Sequence, residues 1–282
     1  MRTEHEMFHL ILDVADQDER VRLVAMNGSR TNPNVPADIF QDYDIVYVVD
    51  DMKSYLDQPS WIDVFGKRII LQTPEAMDLF PPELGNWFSY LMLFEDGNRI
   101  DLLLVPLDEL DQYIKNDKLI RILLDKDGRT DPLPPATDID YWVKKPTRSY
   151  YHDCCNEFWW LSTYVAKGLC RDELPYAIDH LSVMRKLLYT MLSWQVGAEI
   201  NFSASMGKNY KYLKNYLSAE LWNRVMQTYR NDTRDCVWSS LWLVLELFRE
   251  AAGQVASFLE VNYPEYDSKV TPYLKRVSNH QA

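Results

Sequence analysis

NGSRTNPNVPADIFQDYDIVYVV, residues 27–49, decides how this chain is read. Asn27-Gly28-Ser29 closes an apolar run, Val21–Met26, that reads as a strand, and Gly28 and Ser29 are expected to open a helix. Further on, Asp42 and Asp44 flank Tyr43 at the head of a second run, residues 44–49, apolar enough to lie centrally in a sheet. Side chains alternate along a strand, so Asp42 and Asp44 should share a face, ~6.6 Å apart at ~3.3 Å per residue. Bare carboxylates that close repel and raise each other's pKa unless a cation lies between them. Hard oxygen donors at that spacing suit magnesium, especially when phosphate oxygens complete its octahedron. Backbone N–H groups at Gly28 and Ser29, with the Ser29 hydroxyl, can cradle a phosphate, and Arg30 joins that candidate nucleotide-binding set. Glycine is useful there because the absent side chain lets backbone approach phosphate closely.

The pattern around this stretch is mixed. Thr3 and Glu6 form a capping box, after which Met7, Leu10, Ile11 and Val14 fall on one helical face. Residues 67–72 read as a third strand. Residues 87–94 and 99–105 flank Glu95-Asp96-Gly97-Asn98, a strong hairpin signal, and should be antiparallel neighbours. Asp101 is polar in the otherwise apolar RIDLLLV and costly to bury alone. If its strand lies beside residues 42–48, Asp101 joins the same cluster. Residues 125–147, rich in Pro and Asp, read as a linker. Beyond them helical patterns dominate, at roughly 152–170, 172–197, 207–217, 219–230 and 234–262. The expected fold is α+β: a mixed β-sheet domain with helices over 1–135, then an all-α helical bundle over 136–282.

The 282 residues carry 42 acidic against 30 basic side chains, a net charge of −12. Such a surface repels phosphate backbones, which argues against a nucleic-acid partner, and concentrates cations. No run approaches the ~20 apolar residues of a membrane span. The N-terminal stretch lacks the pattern of a signal peptide. Cys154, Cys155, Cys170 and Cys236 fit neither a zinc pattern nor a disulfide framework. A reduced, cytoplasmic protein is expected, with no membrane partner, as a monomer or weak dimer. His5-Glu6-Met7-Phe8-His9 matches the H-E-x-x-H zinc pattern, but no third ligand is evident and Glu6 already serves the capping box, so it reads as coincidence.

An Asp-x-Asp alone is usually a cap or a solvated turn. The order strand, Gly-Ser, loop, Asp-x-Asp, apolar strand, later acid is far more specific, and it resembles the nucleotidyltransferase superfamily. Residues 27–49, FPPELGNWFSYLMLFEDGNRIDLLLVP (80–106) and SMGKNYKYLKNYL (205–217) resemble more closely the aminoglycoside 6-adenylyltransferases, also called streptomycin adenylyltransferases. The similarity runs over nearly the whole chain and is weakest in the linker. It implies an ATP- and magnesium-dependent enzyme of antibiotic resistance that moves AMP to a hydroxyl, at position 6, of a streptomycin-like aminoglycoside and releases pyrophosphate. By the same resemblance Asp42 and Asp44 hold magnesium, Gly28 and Ser29 hold ATP phosphates, and Asp101 serves as metal ligand, general base or both. ATP and antibiotic would meet in the cleft between the domains. Rival readings keep the chemistry with another acceptor (another aminoglycoside, a lincosamide or a protein), or make the chain a silent nucleotide-binding module.

Lys208, Lys211 and Tyr212 follow Ser205-Met206-Gly207 at the expected start of a helix, where their spacing would place them on one face. Lys208 and Tyr212 are candidate nucleotide ligands, against a plain solvated basic face. A polycationic acceptor calls for carboxylates: Asp153 and Glu157 share a helical face, Asp179 and His180 lie on the next helix, and Asp179 and Glu157 rank first. Most surface acids merely solvate a helix. The tryptophans at 159 and 160 read as bundle core.

Overall fold

The computed structural model describes residues 1–279, and its contacts divide the chain into two compact units, Met1–Asp140 and Tyr141–Ala282. In the first, helix α1 (Glu4–Gln17) starts at Thr3, where the Glu6 N–H donates to the Thr3 hydroxyl and the Thr3 N–H donates to Glu6 at 2.7 Å. Glu6 is thus part of the cap, as the sequence suggests. A six-stranded sheet follows, made of β1 (Val21–Met26), β2 (Tyr43–Val49), β3 (Arg68–Gln72), β4 (Phe88–Phe94), β5 (Arg99–Pro106) and β6 (Arg121–Asp125). Its order is β3-β4-β5-β2-β1-β6; β2 and β5 run parallel and the other neighbours antiparallel. The fold is therefore mixed α and β, as expected.

Period-2 alternation sorts the sheet's two faces. Tyr43, Ile45, Tyr47 and Val49 of β2, with Ile100, Leu102 and Leu104 of β5, pack under Met7 and Ile11 of α1. The intervening Val46, Val48 and Val105 face Leu110 and Tyr113 of α3 (Leu110–Asn116) in a smaller core. Asp44 and Asp101 occupy this second face by alternation.

Several expectations need correction. No helix opens at Gly28: Thr31 folds back instead, its N–H and hydroxyl both donating to the Gly28 carbonyl (3.2 and 2.8 Å). Pro33 and Pro36 then remove the donors a helix would need. The expected linker took in Asp125, the last residue of β6, and the strand over 121–125 that pairs with β1 was not expected. The short helices α2 (Met52–Asp57) and α3 carry too few turns for periodicity to find.

The second unit is helical: α4 (Arg148–Cys170), α5 (Leu174–Glu199), α6 (Ala219–Gln227), α7 (Arg234–Leu259) and α8 (Tyr266–Asn279). Phe158 of α4 stacks on Phe248 of α7 at 3.6 Å inside its core. Helix α8, which contains Pro272, lies beyond the last helix the sequence pattern suggests. The helix expected over 207–217 is instead two short 3-10 turns, because Gly207, Asn209 and Tyr210 all take positive φ. Trp159 is core, but Trp160 is 57% exposed. The cysteines are free, and burial pushes the Cys155 thiol up to about 12. Among the described residues no helix is long and apolar enough to cross a membrane.

Candidate active site

Strand pairing assembles the site. β2 and β5 run side by side in parallel register, with Asp44 directly opposite Asp101. Asp42 stands just before β2. The turn after β1 closes over this pair: the Asn27 N–H donates to the Asp44 carbonyl at 2.9 Å, and Gly28 lies against the Asp44 side chain. A Cβ at position 28 would sit 1.9 Å from Asp44 Oδ2, and Gly28 has φ 72°. Glycine is required there twice over, for space and for the left-handed backbone.

Burial raises the Asp44 carboxyl to about 6, and the neighbouring Asp101 and Asp42 carboxylates push it the same way. Arg99 is the local counter-charge. It sits two residues before Asp101 on the same strand face, and its Nε and Nη2 both donate to the Asp101 carboxylate at 2.7 Å. Its Nε is also 3.7 Å from Asp42 Oδ1. Sequence reasoning missed Arg99, although Arg-x-Asp in a strand signals a same-face pair.

Arg30 has a different setting from the one the sequence suggests. Its guanidinium donates to the carbonyls of Asp42 (3.1 Å) and Gln41 (2.9 Å), pairs with Glu4 at 3.1 Å and lies 3.9 Å over the Tyr43 ring. It pins the backbone that presents Asp42.

The donor set is right for a hard divalent cation: carboxylates only, one of them destabilised by burial and by its neighbours. As the side chains stand, no group of three or more His, Cys, Asp or Glu among the described residues is arranged to hold a metal ion. Arg99 already grips both oxygens of Asp101. The residue types fit a hard divalent cation.

In the helical unit Lys208 and Lys211 are exposed and Tyr212 is half-buried. The shared helix face expected for them does not exist. Instead the Tyr212 N–H donates to the Met206 carbonyl at 2.9 Å, and its ring covers Gly207, where a Cβ would lie 2.6 Å away. Asp153 and Glu157 are exposed on α4, and Asp179 is exposed on α5. His180 of α5 packs between the rings of Tyr176 and Tyr164, at 4.3 and 5.1 Å.

The profile of the streptomycin adenylyltransferase family matches residues 1–277. The chain is 48% identical over 279 residues to an aminoglycoside 6-adenylyltransferase of Bacillus subtilis (strain 168), covering 98% of each protein. It is 49% identical over 277 residues to one of Campylobacter jejuni, covering 98% of this chain and 96% of that protein. The crystal structure of an aminoglycoside 6-adenyltransferase from Bacillus subtilis aligns over 99% of both chains, at 44% identity and a TM-score of 0.50. With Asp44 and Asp101 side by side beneath the Gly28 turn, and with that likeness running from end to end, the chain belongs to the streptomycin adenylyltransferase family.

Proposed function

We propose that this chain transfers the adenylyl group of magnesium-bound ATP to a hydroxyl, at position 6, of a streptomycin-like aminoglycoside and releases pyrophosphate. The observation that carries this reading is the pairing of Asp44 with Asp101 across β2 and β5, beneath a turn that only glycine can make. A fold that gathers repelling acids beneath a glycine turn is suited to a metal-nucleotide.

Asp42 and Asp44 would hold magnesium, and Asp101 would join them if Arg99 released one of the Asp101 oxygens. When bound, magnesium neutralises charge on the triphosphate oxygens. The Gly28 and Ser29 N–H groups and the Ser29 hydroxyl hold phosphate oxygens. Arg30 acts at one remove, by fixing the Asp42 backbone. During transfer the acceptor oxygen bonds to the α-phosphorus, the bond from that phosphorus to the β-phosphate oxygen breaks, and the acceptor's proton passes to Asp101. Lys208 and Tyr212 serve the nucleotide, while Glu157, Asp153 and Asp179 attract the cationic acceptor.

The test is pyrophosphate release from ATP with streptomycin, run beside other aminoglycosides, a lincosamide and no acceptor. Release that depends on streptomycin supports the proposal. Release only with a different acceptor transfers the chemistry to that substrate, and nucleotide binding without release under any condition would reduce the chain to a silent binding module.

A further inference from the structure

The sheet face that carries Asp44 and Asp101 continues into a cavity of about 290 Å³ inside the first unit. Asp44, Asp101, Asn116 and Asp117 line it, with Trp87 and Tyr113 as its aromatic walls. Gly28, Ser29 and Asp42 do not line it, whereas Asn27 does.

The aromatic walls are held from behind. The Trp87 indole N–H donates to Glu109 at 2.5 Å, and the Tyr113 hydroxyl donates to the Asn27 side chain. The two rings meet edge to face with centroids 6.0 Å apart. Their polar ends are satisfied elsewhere, which leaves ring surface for a ligand. Ser89 is likewise engaged, its N–H and hydroxyl both donating to Glu75. What the cavity offers is largely apolar and aromatic surface with the carboxylates of Asp44, Asp101 and Asp117 in its lining.

We propose that this cavity is the acceptor subsite, which receives one amino- or guanidino-bearing ring of the aminoglycoside against Trp87 and Tyr113 and directs its hydroxyl at Asp101. The proposal rests on the adenylyl-transfer reading above. Ring C–H faces and guanidinium planes both stack on aromatic surfaces, and a cationic substituent finds Asp117. An adenine would also suit the walls, but it carries no positive charge for the carboxylates. The Asp117 side chain also accepts the Leu119 N–H at 2.8 Å, so Asp117→Asn keeps an acceptor for that bond while removing the charge.

The experiment is steady-state kinetics on Trp87→Leu, Trp87→Phe and Asp117→Asn in the full chain, together with streptomycin titration by calorimetry in the presence of magnesium and a non-hydrolysable ATP analogue. Trp87→Leu is expected to raise the streptomycin KM and Kd ~10-fold, Asp117→Asn ~5-fold, and Trp87→Phe about 2-fold, with the ATP KM staying within about 2-fold throughout. Should Trp87→Leu fold poorly, Asp117→Asn alone decides. An unchanged streptomycin KM and Kd in a folded Asp117→Asn overturns the subsite, and so does an ATP KM that rises in place of the streptomycin KM. If the unaltered chain releases no pyrophosphate with any aminoglycoside, the adenylyl-transfer reading itself has failed, which is a distinguishable result.

Discussion

The two halves of this molecule treat charge in opposite ways. In the sheet unit, Asp44 and Asp101 come from separate strands and are forced together by parallel register, half-buried and within reach of Asp42 and Arg99. In the helical unit, Asp153, Glu157 and Asp179 project into solvent from helix surfaces. A carboxylate in water costs little, so its presence says little about purpose. A carboxylate pushed up to about 6 by burial and by its own kind is costly to the fold, and a protein keeps it for something that the charge must meet. The contrast ranks the sheet acids above the helical ones as determinants of activity.

The sharpest way to break that ranking is Asp44→Asn. Turnover should fall ~10³-fold, while the apo protein melts higher because a repelled buried charge is gone. A variant with near-normal turnover would remove the sheet acids from the reaction. Gly28→Ala comes next. A methyl group 1.9 Å from Asp44 Oδ2, on a left-handed backbone costing ~1–2 kcal/mol for other residues, should lower turnover ~100-fold and also lower the melting temperature.

Arg99→Met sharpens the comparison by separating charge balance from architecture. The apo protein should lose a few °C in melting temperature, about what ~1 kcal/mol gives in a domain of this size, and magnesium-nucleotide should then stabilise it more than it stabilises the parent. If the magnesium shift shrinks instead, Arg99 is a partner of the bound nucleotide and not its competitor. The acidity of Asp44 yields a pH signature. Its carboxyl binds a proton more tightly folded, at about 6, than unfolded, at 3.8, so apo stability declines as pH rises through that interval, by at most ~3 kcal/mol. Magnesium must displace the same proton, so its apparent affinity, followed by thermal shift, should weaken as pH falls through about 6. The smallest effects belong to the helical unit. Lys208→Ala should raise the ATP KM ~5-fold, and Asp153→Asn, Glu157→Gln and Asp179→Asn should each change the streptomycin KM less than about 3-fold. A tenfold effect at Asp179 would place acceptor recognition on the helices.

Much of the sheet was legible because its signals are local. Apolar runs marked β1, β2, β3, β4 and β5, and Asp96-Gly97 marked the hairpin between the last two. The strand β6 was hidden because its neighbours are Pro- and Asp-rich, and its pairing with β1 spans almost the whole unit. The 207–217 segment misled because spacings of three and four look helical whether or not Gly207, Asn209 and Tyr210 allow a right-handed turn. For Arg30, a basic residue beside Gly-Ser suggests phosphate, and the folded chain shows it bonded to the carbonyls of Gln41 and Asp42.

Residue types and short spacings determined, without any coordinates, that this chain holds a Gly-Ser turn before an apolar strand headed by Asp42 and Asp44, with a later acid at Asp101. Tertiary structure alone decided that Asp101 stands opposite Asp44, that Arg99 grips it, and that an aromatic-walled cavity opens from the pair. The physical reason is range. Alternation and capping act over a few residues of one strand or helix, whereas the register between β2 and β5, and the closure of α3 over them, depend on which surfaces the whole chain buries.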